Sequence, residues 1–126
     1  MRRTVTAIII LLFSLTIGIF SYFFVKNACN QTISGVEEVM QSALTEDTEA
    51  VNRFSVQANR IWQNKVFLLN ILIGREYTGE VSKYLNKITY YSEIADWDSV
   101  ITNSEDCKAE LTHIIQSNEP DLSTVF

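Results

Sequence analysis

The sequence predicts an all-α protein: a single N-terminal transmembrane helix followed by an up-and-down helical bundle. Three observations carry this. Residues 4–25 hold no charged side chain, and Arg2, Arg3 and Lys26 flank them. In the rest of the chain, apolar residues recur at steps of three and four, the spacing of one helix face. No stretch alternates with period two for long enough to make a strand. Four Gly and one Pro in 126 residues also argue against a loop-rich chain. Length allows one small domain beyond the apolar run. The division is an anchor over 1–26 and an extracytoplasmic helical bundle over 27–126.

The anchor comes first. As a helix, the uncharged run reaches roughly 33 Å, against a hydrocarbon core of roughly 30 Å. Ala7 to Phe13 is apolar on all sides, and Tyr22, Phe23 and Phe24 close the run as an aromatic belt. A cleaved signal peptide wants a shorter apolar region and small residues before the cut. Lys26 stands where a lipoprotein signal needs an aliphatic residue, which argues against lipidation of Cys29. The reading is an uncleaved signal anchor. Positive charge precedes the run, so the N-terminus is expected in the cytoplasm and the body outside the cell membrane. Within the span, Ala7, Ser14, Gly18 and Ser21 form one stripe of small residues, a candidate helix-packing face. Small residues are also simply common in membrane helices.

Four amphipathic segments follow. The first places Cys29, Ile33, Val36, Met40 and Ala43 on one stripe, with Asn27, Asn30 and Gly35 weakening the helix. Thr45-Glu46-Asp47 is a helix-start signal. The second places Val51, Phe54, Ala58, Ile61, Lys65, Leu68 and Leu72 on a stripe that Trp62, Val66, Leu69 and Ile73 widen, and Gly74 ends it. Its apolar end, Val66 to Ile73, is either core centre or a patch resting on the membrane. Trp62 is expected to be at least half buried. The third places Tyr77, Val81, Tyr84, Ile88, Tyr91 and Ala95 on one seam. Those three tyrosines read as a core edge with hydroxyls reaching solvent, against a ligand-binding ladder. After Asp96-Trp97-Asp98, the fourth places Val100, Ser104, Cys107, Leu111 and Ile114 in line. Asn118-Glu119-Pro120 then stops the helix.

Composition excludes several functions. Beyond residue 26 the body holds seven basic residues against fifteen acids, a poor match to nucleic acid or to an anionic membrane surface. Two Cys and one His exclude a four-Cys zinc site and a His-rich metal site. His113 lacks a specified nucleophile and orienting acid, and reads as a helix-surface residue. Glu37 and Glu38, and Glu105, Asp106 and Glu110, lack the spacing of a calcium loop or di-metal motif and read as a solvated face. No glycine-rich phosphate loop is present. Asn30-Gln31-Thr32 matches a glycosylation acceptor very close to the membrane. Cys29 and Cys107 fall on the apolar stripes of the first and fourth segments. Summed helix rises bring them to similar depth. A first helix running straight into the membrane would, however, drop the end of the second to about the level of Phe20. A bend at Asn27 to Asn30 or a tilted bundle is therefore expected, and a bend would move Cys29. They are a candidate disulfide, the alternative being two free thiols.

One family resemblance rests on the order of features. The chain has a short basic start, one membrane helix, Trp62 in mid-helix, and Leu111-Thr112-His113-Ile114 followed by Glu119, Leu122 and Val125-Phe126. It resembles the bacterial proteins grouped as "domain of unknown function 4363". Arg75-Glu76-Tyr77 stands where that family often has a histidine, and the two cysteines lie outside its pattern. The resemblance implies a small single-pass protein with no known activity, cofactor or catalytic residue.

The functional expectation is therefore a non-enzymatic, extracytoplasmic interaction or scaffold module. Its partners would be the lipid bilayer and another membrane protein, with no nucleic acid and no cofactor; oligomeric state is open. The alternative is a ligand-sensing bundle, with Tyr77, Tyr84, Tyr91 and Trp97 lining a pocket and a partner membrane protein carrying the output.

Overall fold

The computed structural model describes residues 1–118, so the expectations placed on Glu119, Pro120, Leu122, Val125 and Phe126 lie outside it. Four α-helices fill the described residues: α1 (Arg2–Leu44), α2 (Thr48–Ile73), α3 (Arg75–Glu93) and α4 (Trp97–Asn118). Connections are short, so consecutive helices run antiparallel. α1 packs on α2 and α4, and α3 packs on the same two, an up-and-down square with no diagonal pair in contact among the described residues.

Each turn has a local cause. The Asp47 carboxylate caps α2, accepting from the Ala50 N–H at 3.2 Å. This offsets one orphan donor of the first turn. Gly74 closes α2 at φ +94°, where a side chain would be strained, and its N–H donates to the Asn70 carbonyl at 3.1 Å. Asp96 caps α4 through Ser99, at 3.3 Å from its N–H and 2.8 Å from its hydroxyl. Glu46 and Ala95 take the left-handed conformation at φ +55° and +58° to make the other two turns.

α1 is unbroken through Asn27, Asn30 and Gly35, so the apolar N-terminal run and the first bundle helix are one rod. Residues 2–20 of it are exposed on every face, and full burial begins at Val25. From there Val25, Ala28, Cys29, Thr32, Val36, Val39 and Ala43 enter the core. Ile33 and Met40, expected on the stripe, are only half-buried. Small residues let the helices close up: a Cβ on Gly35 would stand 3.1 Å from the Ala58 Cβ.

In α2 the buried seam is Val51, Ser55, Ala58, Trp62 and Leu69, one residue along from the expected Phe54, Ile61 and Leu68. Lys65 leaves the core and donates to the Gln31 side chain on α1. In α3 the seam is Thr78, Val81, Leu85, Ile88 and Ser92. The tyrosines flank it, Tyr84 and Tyr91 half-buried and Tyr77 exposed. In α4 the buried residues are the five expected, Val100, Ser104, Cys107, Leu111 and Ile114. Trp62 is 0% exposed and its indole N–H donates to the Ser82 hydroxyl at 2.9 Å.

Candidate functional site

The chemistry-bearing residues fall into separate places. Cys29 on α1 and Cys107 on α4 are both buried in the core and both free thiols. Burial pushes each thiol up to about 12; at Cys107 the Glu110 carboxylate and Cys29 add to the effect of burial. Thiols held protonated are poor nucleophiles and poor metal ligands. The Ser104 hydroxyl, one turn from Cys107, is buried and has no partner among the described residues.

Carboxylates lie on the outside. Glu37 pairs with Lys108 at 3.1 Å, tying α1 to α4, while Glu38, Glu105 and Asp106 face solvent. Among the described residues no group of three His, Cys, Asp or Glu side chains converges as a metal site would require. His113 is exposed on α4, its ring 6.3 Å from that of Tyr77. Within the acceptor triplet Asn30 and Gln31 are exposed, whereas Thr32 is buried, its hydroxyl donating to the Ala28 carbonyl at 2.9 Å.

The four aromatic residues considered for a ligand pocket are dispersed. Tyr77 lines a cleft of about 170 Å³ with Ile73, Ile114 and Ser117. Tyr91 borders a different, open depression along α3. Tyr84 and Trp97 pack partly against the core.

Two surfaces remain. One is the small-residue stripe of the naked helix: Ala7, Ser14 and Gly18 are exposed and Ser21 half-buried. A Cβ on Gly18 would meet nothing within 4 Å. Ser14, Gly18 and Ser21 border an open apolar groove with Leu11, Leu15 and Tyr22. The other surface is the outer face of the end of α2. The segment from Val66 to Ile73 is divided: Leu69 is fully buried, whereas Phe67 is 77% and Ile71 67% exposed. Sequence reasoning offered core or patch; the helix supplies one on each face. Phe67 and Ile71 stand one turn apart on the same face, and adjoining exposed apolar side chains form a candidate contact surface for protein or membrane.

The bundle is also electrically polarised. Among the described residues, the half nearest the α2–α3 turn carries Lys26, Lys65, Arg75, Lys83 and Lys108 against Glu76, Glu80 and Glu110. The opposite half carries ten acids against Arg53, Arg60 and Lys87. The sequence showed an acidic body, but this separation needed the topology. No family model matches the chain, and neither a curated protein nor a solved structure matches it.

Proposed function

We propose that this chain is a single-pass membrane-anchored interaction module. Its N-terminus is cytoplasmic and its helical bundle stands outside the cell membrane as a docking body for another membrane protein. The observation that carries the reading is α1. Its first half is long and apolar enough to cross a bilayer and is bare on every side, while its second half is a structural wall of the bundle. An apolar rod bare in water is costly; in lipid it is at home. The basic start at Arg2 and Arg3 supports the orientation. The small-residue stripe of Ala7, Ser14, Gly18 and Ser21 offers a partner helix a close approach within the bilayer. The resemblance to the domain of unknown function 4363 proteins belongs to this reading and adds no activity to it.

Protease added to intact protoplasts tests the topology. The bundle is expected to be digested, with the membrane-embedded segment retained; full protection of the bundle overturns the orientation. Co-purification in mild detergent after crosslinking tests the partner. A chain recovered alone and monomeric counts against an interaction module.

A further inference from the structure

The geometry points to a second lipid contact, which we propose: the α2–α3 end of the bundle is seated in the lipid interface, with Ile71 at the acyl boundary and Phe67 at headgroup level. The inference rests on the anchor reading above and deepens it.

Register is the first argument. α1 and α2 run antiparallel, with Gly35 against Ala58 and Gln31 bonded to Lys65. Carried down the pair, this register sets Ile71 level with residues 22–25 and Phe67 level with residues 26–29. Residues 22–25 are the last of the uncharged run and hold its aromatic belt. α1 is unbroken there, so a bundle packed on it cannot stand clear of the bilayer that α1 enters. The end of α2 is drawn to interfacial depth.

The second argument is the side chains found at that depth. Phe67 and Ile71 point away from the core and Phe23 is exposed at the same level. Lys26 lies over the Tyr22 ring at 5.8 Å, an aromatic and basic pair of the kind that marks headgroup level. Arg75 and the exposed Tyr77 follow Gly74 at the very end. Long basic side chains at this height can extend to the headgroups while their stems stay in apolar surroundings.

The third argument is charge. Among the described residues, the end that carries Phe67 and Ile71 holds the excess of basic groups, while the acidic excess lies in the far half, where Leu44, Tyr90 and Ile94 are also exposed. A lipid surface accepts the first and disfavours immersion of the second. A purely proteinaceous partner would explain the apolar patch but not its coincidence in level with the end of the membrane run.

The test uses the full chain in vesicles of phosphatidylcholine with phosphatidylglycerol. The native thiols are buried and held protonated, so a spin label attaches selectively to an introduced cysteine. Labels go at F67C, I71C, F13C within the anchor, and V56C on the exposed far half of α2. Collision with oxygen, which partitions into lipid, is compared with collision with a water-soluble nickel complex. The expected result is an oxygen-to-nickel ratio at F67C and I71C severalfold above that at V56C, with F13C higher still. Labels at F67C and I71C that match V56C, while F13C lies deep, overturn this proposal and leave the anchor standing. Labels there shielded from both reagents identify packing against a second copy and also overturn it. An F13C label open to the nickel complex overturns the anchor reading itself.

Discussion

Removal of the Trp62 indole tests the packing of the whole bundle, because Trp62 stands at mid-height on α2 and is 0% exposed. A buried tryptophan hides about 150–250 Å². At about 25 cal/mol per Å² that corresponds to roughly 4–6 kcal/mol of transfer free energy. Partial collapse of the site recovers some of it, so Trp62→Ala should cost about 3–5 kcal/mol. The N–H adds a separable piece. Ser82→Ala removes its acceptor at 2.9 Å. Because Ser82 is only half-buried, water can reach the vacated site, which puts the cost near the low end, about 1 kcal/mol. In a Trp62→Phe background there is no N–H to strand, and Ser82→Ala should then cost almost nothing. The assay is unfolding of the full chain in mild detergent. Trp97, the second of the two tryptophans, serves as the fluorescent reporter. For a bundle of this size each kcal/mol moves the midpoint by about 4–8 °C. An unchanged midpoint in Trp62→Ala would refute the buried placement. Equal effects of Ser82→Ala in both backgrounds would refute the hydrogen bond.

Other outcomes follow from the same core. Ser104→Ala should leave stability unchanged or raise it by up to about 1 kcal/mol, because the hydroxyl is buried without a partner; a clear loss would reveal a partner for it. Ala95→Gly should raise the midpoint by relieving a left-handed alanine at φ +58°, a strain of about 1 kcal/mol that glycine's greater unfolded-state freedom partly offsets. The two thiols have folded pKa values near 12, above the ordinary value of 9.0. Each therefore leaves stability intact below about pH 9, and lowers it by about 1.4 kcal/mol per pH unit between about pH 9 and 12. A pH series of unfolding midpoints in wild type and in a Cys29→Ala, Cys107→Ala double variant checks this. The variant should lose less stability over that interval, and identical slopes would remove the thiols from the account.

How far the sequence foretold the fold differs from helix to helix, for a physical reason. Periodicity alone yields the stripe of α4 residue for residue, because it is narrow and has polar neighbours. In α2 and α3 the apolar stripe is wide, and its centre lies one position from where periodicity set it. The true seam passes through Ser55, Thr78 and Ser92. Each hydroxyl is satisfied within the protein: Ser55 on the Asn52 carbonyl, Thr78 on Asn70, and Ser92 on the Asn52 side chain at 2.7 Å. A small residue with a bonded hydroxyl fits a tight helix–helix contact better than Phe54 or Tyr84, but a count of apolar residues passes over it. The patch on α2 was legible only as an alternative. Which face of Val66 to Ile73 is bare depends on how α1 and α3 flank it, and no local pattern encodes that. The charge separation was hidden for the same reason, since it comes from folding distant acids to one end.

In the proposed anchored state, the unbroken α1 makes the bundle a lever whose fulcrum lies in the bilayer. From Val25 to Leu44 the rod extends about 29 Å beyond the membrane run. Membrane helices change tilt by this order readily, and a tilt of only about 10° would sweep the acidic turns at the tip through about 5 Å. Thinning of the bilayer or reorientation of a neighbouring helix would therefore be read out as displacement at the far end, with no joint in α1 to absorb it.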